Sequence, residues 1–474
     1  MSSSRAATGV LRRAVGRGGY FALAFGAIVG SGWVVVLGDW LKAAGPGGSA
    51  VAFGIGAMGM LLIALCYGEL AARFPRAGAE FLYVREVFGP NAGFIAAWYL
   101  TLYAVAVCAF EGIALGWILR TLWPPLDMGN AYTVLGTTVS WGSIATGFAG
   151  ALIVGGTHCR GPASAIRFQN LVTYGFILIS AVLMAAALAR GRIANLQPIF
   201  PNSPAQPLTN GVLWIFATCA FFLNGWQSAL HAIEERRDTT TLRGAVSGMA
   251  AAVAAAALFY VGLIIAAGMA VPWQRLPGAD LPAVAAFRSL TAGGLLGTVL
   301  LAAAAISLAK AWSAMVWVGS RLLFAQARHG LLPRQLLRVH PVSGAPRAAI
   351  ITILVVTLVG ILAGRGAVLP IVNMVSTCMA LSYLLCLAAL LKARRRDGPS
   401  KEFAVPGGMP SIVMALLGAA AMVGLALGKP WLDHPGTVPL EWIMLLSWGA
   451  VGACVRAVVL LAARLSRPAA ECPP

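Results

Sequence analysis

Three ionisable side chains, Asp39, Glu111 and Lys310, lie within long apolar runs of this sequence. A charged group is costly away from water, so such residues usually face a polar cavity, pair with one another or exchange a proton. Glu111, in CAFEGIALGW, is therefore a candidate proton carrier or counter-ion for an amine. Asp39 lies beside Trp40 near the end of its run, where it could be a gate residue, a counter-ion or a side chain in interfacial water.

Gly30, Ser31 and Gly32 lie in the middle of the first apolar run, FALAFGAIVGSGWVVVLGDW. Two glycines around a serine weaken a helix locally and allow non-helical backbone. An interrupted helix exposes N–H groups at one new end and carbonyl groups at the other, which can receive a carboxylate and an ammonium or cation. Small residues also allow helices to pack closely, so this run alone leaves both interpretations open.

A second candidate interruption occurs in VLWIFATCAFFLNGWQSALHAIEERRD, where Asn224 and Gln227 flank Gly225. Polar side chains at this depth often line a cavity, although Asn and Gln can also join helices by hydrogen bonds. Two interrupted segments at corresponding positions of two halves indicate a central binding site.

The elements that must position these groups are transmembrane helices. Of the 474 residues, 59% are hydrophobic and 10% are charged, and the mean hydropathy is +0.83. Soluble chains average about 45–50% apolar and about 25% charged residues. One soluble core cannot shield that much apolar surface, so lipid must solvate the outward-facing side chains.

A length of about 20 apolar residues crosses a bilayer, and the chain contains about twelve such segments. They lie near 20–41, 50–71, 92–119, 132–156, 166–189, 211–233, 244–269, 293–327, 348–364, 367–391, 409–428 and 441–464. An even number puts both termini on one side, together with most of the 34 Lys and Arg residues. The positive-inside rule therefore predicts a multi-pass protein of the cell membrane with both termini cytoplasmic.

The net charge of +19 does not indicate a nucleic-acid partner, because the basic residues form short clusters between apolar runs, such as KARRRDGPSK. Such clusters are typical of cytoplasmic loops near anionic headgroups. The sequence contains no nucleophile elbow, phosphate-binding glycine loop or metal motif. We therefore expect neither an enzyme nor a bound cofactor or metal.

Two long motifs resemble signature segments of the amino acid–polyamine–organocation transporters. They are YGELAARFPRAGAEFLYVREVFGPNAGFIAAW, from Tyr67 to Trp98, and GSRLLFAQARHGLLPRQLLRVHPVSGAP. The stretch FFLNGWQSALHAIEERRD is similar to the family's helix 6 and its acidic exit, and with helix 1 the resemblance covers most of 20–391. The charges around Glu69 and Glu80 in the first motif could form a gating network or a structural ion-pair cluster.

The resemblance implies an all-α, LeuT-like fold with interrupted helices 1 and 6. Residues 20–190 and 191–391 would form two inverted five-helix repeats, after a cytoplasmic tail at 1–19. Residues 392–474 would carry helices 11 and 12 and a second cytoplasmic tail.

The resemblance also implies a substrate site between the two interruptions, walled by helices 3, 8 and 10. Motif positions transfer to this site from helices 1, 3, 6 and 8, whereas helix 10 matches poorly and contributes two less specific positions. The transferred residues are Val29, Gly30, Ser31, Gly32, Tyr103, Cys108, Phe221, Asn224, Gly225, Trp226, Gln227, Trp312, Met315, Ser376 and Thr377.

Proton-coupled relatives often carry a lysine on helix 5 that replaces a sodium ion, but RFQNLVTYGFILIS has no basic residue after Arg167. We expect Lys310, on helix 8, to supply that charge from the other wall and to couple transport to protons; alternatively, its side chain reaches the outer surface. The implied function is a secondary permease for amino acids or related small amines, proton-coupled or an exchanger. A non-transporting amino-acid sensor on the same fold is the alternative, and a channel would need a filter-like segment that is absent.

Overall fold

The computed structural model describes residues 13–76, 78–201, 208–279, 281–433 and 438–465, so much of both predicted tails lies outside the described residues. These ranges are mostly α-helical and contain one two-stranded sheet. The helices are α1 Arg17–Ile28, α2 Gly32–Arg73, α3 Glu80–Phe88, α4 Pro90–Leu122, α5 Trp141–Cys159, α6 Pro162–Arg190, α7 Leu208–Phe222, α8 Ser228–His231, α9 Leu242–Ala270, α10 Pro282–Arg288, α11 Leu295–Arg328, α12 Arg347–Ile361, α13 Val368–Asp397, α14 Gly408–Asp433 and α15 Leu440–Leu465. The antiparallel strands are β1 Asn130–Val134 and β2 Thr137–Ser140.

Eight of the described helical segments are long and apolar enough to cross a membrane, and α7 and α12 are shorter apolar helices. Large apolar side chains on the outside of the bundle, such as Leu171, Leu258 and Leu446, are more than 70% exposed. Exposed apolar surface of this extent is suited to lipid rather than to water. The protein is therefore a polytopic helical membrane protein, and the count of twelve spans stays a prediction.

Helix α4 lies at the centre of the bundle, packed against α5, α11, α12 and α13. Of the eight long segments, its apolar stretch is the most enclosed, with 78% of the residues buried, whereas that of α15 is 6% buried. Residues on α4 are therefore held by protein on most sides, and α15 mainly faces the surroundings of the bundle.

The second part of the first predicted span and the whole of the second form one continuous element, α2, which bends sharply at Gly45 and Pro46. Gly45 adopts φ +63° and ψ −177°, a conformation that side chains with a Cβ rarely adopt. Proline cannot donate the next helical hydrogen bond. The Ser49 hydroxyl donates to the carbonyl oxygens of Gly45 and Trp40, at 2.6 and 2.9 Å, and so satisfies backbone acceptors at the bend.

The predicted span at 132–156 begins too early, because its first residues form the β1–β2 hairpin and the helix starts only at Trp141. The run YTVLGTTV is apolar, but its β-branched residues favour strands. Leu135 and Gly136 both have positive φ, +49° and +70°, which is the backbone of a tight two-residue hairpin turn. Hydropathy alone does not distinguish this run from the start of a helix.

Glu69 holds together three separate segments at the end of α2. Its buried carboxylate contacts Arg73 at 3.0 Å and Arg394 of α13 at 3.2 Å, and it accepts a hydrogen bond from the Val405 amide at 2.8 Å. The two guanidinium groups are only 10% and 12% exposed. This arrangement supports the structural interpretation of Glu69 over a gating role.

Replacing Glu69 with Gln should lower the free energy of unfolding in detergent by about 3 kcal/mol, because two nearly buried guanidinium groups lose the carboxylate that they share, and Arg73 keeps only the more distant Asp397 at 3.9 Å. The matched control is Glu402→Gln, since Glu402 is half exposed and lies 3.9 Å from Arg236. That control should change the unfolding free energy by less than about 1 kcal/mol. Equal thermal unfolding curves for the two variants would contradict the structural role of Glu69.

Candidate functional site

The first interruption separates α1, which ends at Ile28, from α2, which begins at Gly32. Val29, with φ −93° and ψ 86°, is the first non-helical residue. The Ser307 hydroxyl, on α11, donates to the carbonyl oxygens of Val29 and Gly30, at 2.9 and 2.6 Å. The freed carbonyl groups of this break thus obtain partners from a neighbouring helix.

The second interruption follows α7 and is centred on Gly225, whose φ is +110°. A Cβ at Gly225 would lie 2.6 Å from the carbonyl carbon of Ala27, so only glycine allows α1 to approach this closely. The Asn224 Oδ1 accepts hydrogen bonds from the Gly225 amide at 2.6 Å and from the Gln227 amide group and the Tyr383 hydroxyl, both at 2.8 Å. These polar side chains support the break itself.

Side chain to backbone hydrogen bonds join the half-helices of the two breaks. The Ser228 hydroxyl of α8 donates to the Leu23 carbonyl of α1 at 2.9 Å. In the other direction, the Tyr20 hydroxyl of α1 donates to the Ala232 carbonyl at 3.0 Å. Both tyrosine and serine are buried, so α1 and α8 pack as one unit.

A small cavity lies between the two interruptions, bounded by residues of both. Its lining is mainly aromatic and aliphatic, with Ser31, Glu111 and Asn224 as polar side chains. The rings of Phe110 and Phe221 approach edge to face at 6.2 Å on its wall. The lining residues are Ala27, Ile28, Gly30, Ser31, Gly32, Tyr103, Val107, Phe110, Glu111, Phe221, Phe222, Asn224 and Tyr260.

Seven of the predicted site residues contribute to this lining. They are Gly30, Ser31, Gly32, Tyr103, Glu111, Phe221 and Asn224. The sequence interpretation omitted Val107 and Phe110, although they follow Tyr103 at four and seven residues and so share its helix face. No pattern in the sequence marks Tyr260 as a cavity residue, because it reaches the cavity only through the packing of α9 against the other helices.

The other predicted site residues lie outside the lining. The Trp226 ring stacks on Tyr383 at 5.7 Å and meets Tyr67 edge-on at 4.9 Å. The Trp312 ring fills the space beside Gly112 and Gly150, where an added Cβ would meet it at 3.1 and 2.9 Å.

The remaining members of that group are all buried or bonded within their own helix. The Ser376 and Thr377 hydroxyls donate to Val372 and Asn373 carbonyl oxygens of α13, at 2.8 and 3.1 Å. The buried residues outside the lining are Val29, Cys108, Gly225, Gln227 and Met315.

Lys310 and Glu111 approach the first interruption from different helices. The fully buried Lys310 ammonium donates to the Val29 carbonyl oxygen and lies 4.4 Å from the centroid of the Phe176 ring. Glu111 is 2% exposed and accepts a hydrogen bond from the Ser31 hydroxyl at 3.2 Å. Burial of Lys310 excludes the alternative in which its side chain reaches the surface.

Asp39 does not reach the cavity. It is exposed in a separate open groove that also contains Lys42, Asn210 and Trp214. This position agrees with the interfacial interpretation of Asp39 and separates it from Glu111.

One buried ion pair and one buried histidine–carboxyl contact lie beyond the cavity, toward the end of the bundle predicted to be cytoplasmic. Arg321 of α11 makes a two-pronged contact with Glu235, at 2.9 and 3.1 Å. His231 of α8 lies 2.8 Å from Glu80 of α3. All four side chains are at most 2% exposed, so they close this part of the bundle.

Replacing Gly225 with Ala should destabilise the protein by at least about 2 kcal/mol, since the new Cβ meets the Ala27 backbone and φ is unfavourable. Gly418→Ala is the control, because Gly418 lies in α14 with open space around it. That change should be neutral or stabilising by up to about 1 kcal/mol. Thermal unfolding in detergent measures both, and a stable Gly225→Ala protein would disprove the close approach of α1.

Comparison with known proteins agrees with this architecture. A family model described as an amino acid permease matches residues 18–466. The chain is 23% identical over 441 residues to the methylthioribose transporter of Bacillus subtilis, covering 91% of this chain and 90% of that protein.

Other similar proteins carry different substrate names. The branched-chain amino acid permease BcaP of Bacillus subtilis is 25% identical, over 72% of each chain. The human large neutral amino acids transporter small subunit 2 is 26% identical, over 73% of this chain and 64% of that protein. With a family match along nearly its whole length, the chain belongs to the amino acid permease family, within the amino acid–polyamine–organocation transporters.

Proposed function

We propose that this permease is a secondary active transporter that moves amino acids or related small amines by alternating access. The observation that carries the proposal is the cavity enclosed between two interrupted helices. The helix ends created by the two interruptions lie beside this one cavity, where they can bind the two opposite charges of a zwitterionic ligand.

The backbone at the two breaks would bind the common part of the substrate. The first amides of α2, around Gly30 to Gly32, lack partners within their own helix and sit at its positive end. They suit a carboxylate. The last carbonyl groups of α7, near Phe221 and Phe222, form the opposite kind of helix end and suit an ammonium group.

The cavity favours a substrate whose side chain is uncharged. Phe110, Phe221 and Tyr260 contribute apolar ring surface, and the exposed Asp39 is outside the cavity. Glu111 already bonds Ser31 and is electrostatically coupled to Lys310, so it is less suited to serve as a free counter-ion. The relatives are named for different substrates: branched-chain amino acids, large neutral amino acids, and glutamate and serine. What these names share, and all that they support, is the class of amino acids.

The positions of the breaks support a division into inverted five-helix repeats at 20–190 and 191–391, followed by two helices in 392–474. One break lies in the first helix of each proposed repeat. The basic loops support cytoplasmic termini. In that orientation the pairs Arg321–Glu235 and His231–Glu80 would form the inner gate, opening when α1 and α8 move away from α3 and α11.

Lys310 is proposed to take the place of a coupling cation. Its ammonium contacts the Val29 carbonyl, so it connects α11 to the end of α1. Loss of its proton would remove a charge-assisted hydrogen bond and weaken this connection. Movement of α1 would thereby depend on the protonation of Lys310, and Glu111, which bonds Ser31 of the same interruption, is a candidate to exchange the proton.

Proteoliposomes should show saturable uptake of neutral amino acids, increased by an inward proton gradient and unaffected by a sodium gradient. A labelled panel of neutral, acidic and basic amino acids and of amines measures this directly. Binding of a panel member without uptake or exchange, in verified vesicles, would instead favour the sensor. Non-saturable conductance would indicate a channel.

Replacing Lys310 with Gln should abolish uptake driven by a proton gradient while substrate exchange continues, because the amide keeps a donor but cannot titrate. Lys42→Gln is the control, since Lys42 is an exposed lysine in the outer groove. Gradient-driven uptake and counterflow are measured in the same vesicles. Driven uptake equal to that of the native protein would rule out coupling through Lys310.

A further inference from the structure

A second small cavity, partly open to the surface, lies farther along α4, beyond the candidate site. It is bounded by the last turns of α4, strand β2, the start of α5 and the segment between α12 and α13. Its lining residues are Ile113, Trp117, Arg120, Thr138, Val139, Ser143, Ile144, Ile361, Gly364 and Arg365. Nothing in the transport proposal uses this cavity.

Two arginines give the cavity a positive rim. The Arg365 guanidinium lies 3.8 Å from the centroid of the Trp117 ring, which holds it in place while its N–H edge stays available. Among the described residues Arg365 has no ion-pair partner. Arg120 lies 3.7 Å from Asp127, and both side chains are partly exposed, so this contact is weak. The rim therefore holds more positive charge than its neighbours balance.

The rest of the cavity combines hydroxyl groups with an apolar wall. Thr138 and Ser143 contribute hydroxyls, whereas Ile113, Ile144 and Ile361 contribute hydrocarbon. A small hydrated anion gains little from such a wall. An anionic group attached to a hydrocarbon body can contact the arginines of the rim and the apolar wall at the same time.

The cavity also lies where lipid headgroups are expected. Trp123 and Trp141, at the end of α4 and the start of α5, are 62% and 57% exposed, and Trp117 lies on the cavity wall. Tryptophan is typical of the boundary between hydrocarbon and water, at headgroup level. Arg120 and Arg365 therefore face the depth at which phosphodiester groups occur.

We propose that this cavity binds the phosphodiester headgroup of an anionic phospholipid. Arg120 and Arg365 contact the phosphate, and the isoleucine wall contacts the glycerol and the first methylene groups. Such a lipid connects α4, which carries Glu111, to the segment between α12 and α13, and it does not depend on which substrate the permease moves.

Native mass spectrometry of the full chain in detergent tests the proposal, with phosphatidylglycerol and phosphatidylcholine as probes. Phosphatidylglycerol should be retained preferentially, and Arg120→Gln and Arg365→Gln should each weaken its binding by about tenfold or more, as expected for loss of a charge-assisted hydrogen bond. Arg275→Gln, at an exposed arginine outside the cavity, should leave binding unchanged.

Further measurements distinguish loss of lipid binding from loss of folding, and binding of a lipid from binding of a free anion. Arg365→Lys keeps the charge but not the planar stacking, so it should retain binding better than Arg365→Gln; thermal unfolding confirms that each variant is folded. Equal retention of the two lipids, or unchanged binding in both folded glutamine variants, overturns the proposal. Displacement of the lipid by millimolar inorganic phosphate also overturns it, in favour of a soluble-anion site.

Discussion

The need to satisfy unwound backbone inside a membrane protein governs this structure. The break between α1 and α2 lies inside the helical bundle, so its carbonyl groups require partners from the protein. Ser307 and Lys310 meet the Val29 carbonyl from α11, and the Trp33 indole donates to Gly30 at 2.8 Å. Since the main partners come from α11, satisfying the break also fixes α11 against α1.

The second break is satisfied in a different way. Asn224 and Gln227 act largely on their own segment, and Tyr383 adds a donor from α13. Asn224 and Gln227 thus mainly support the backbone, and most of the cavity wall is formed by aromatic and aliphatic side chains. Selection among ligands then depends more on shape and apolar contact than on charge, whereas the helix ends recognise the common amino-acid groups.

The charged side chains inside the bundle also contact the interrupted segments. Lys310 contacts Val29 and Glu111 contacts Ser31, two residues of the same interruption, so the energetics of the break and of protonation are linked. Farther along α11, Arg321 is held by Glu235 beside the segment that follows α8. One helix therefore connects the first break with the end of the second interrupted helix.

The length of the apolar segments determined from the sequence alone that this is a polytopic helical protein, because any helix that crosses the membrane needs about 20 apolar residues. Glycine and polar residues within apolar runs likewise indicated both breaks, since their cost in a continuous helix is local. The hairpin at 130–140 was missed because a β-branched apolar run has the hydropathy of a span. Which side chains face the cavity was decided by tertiary packing. Trp226 and Trp312 turn toward neighbouring rings and glycines, while Tyr260 enters from α9, and these directions depend on helix rotation and crossing rather than on residue type.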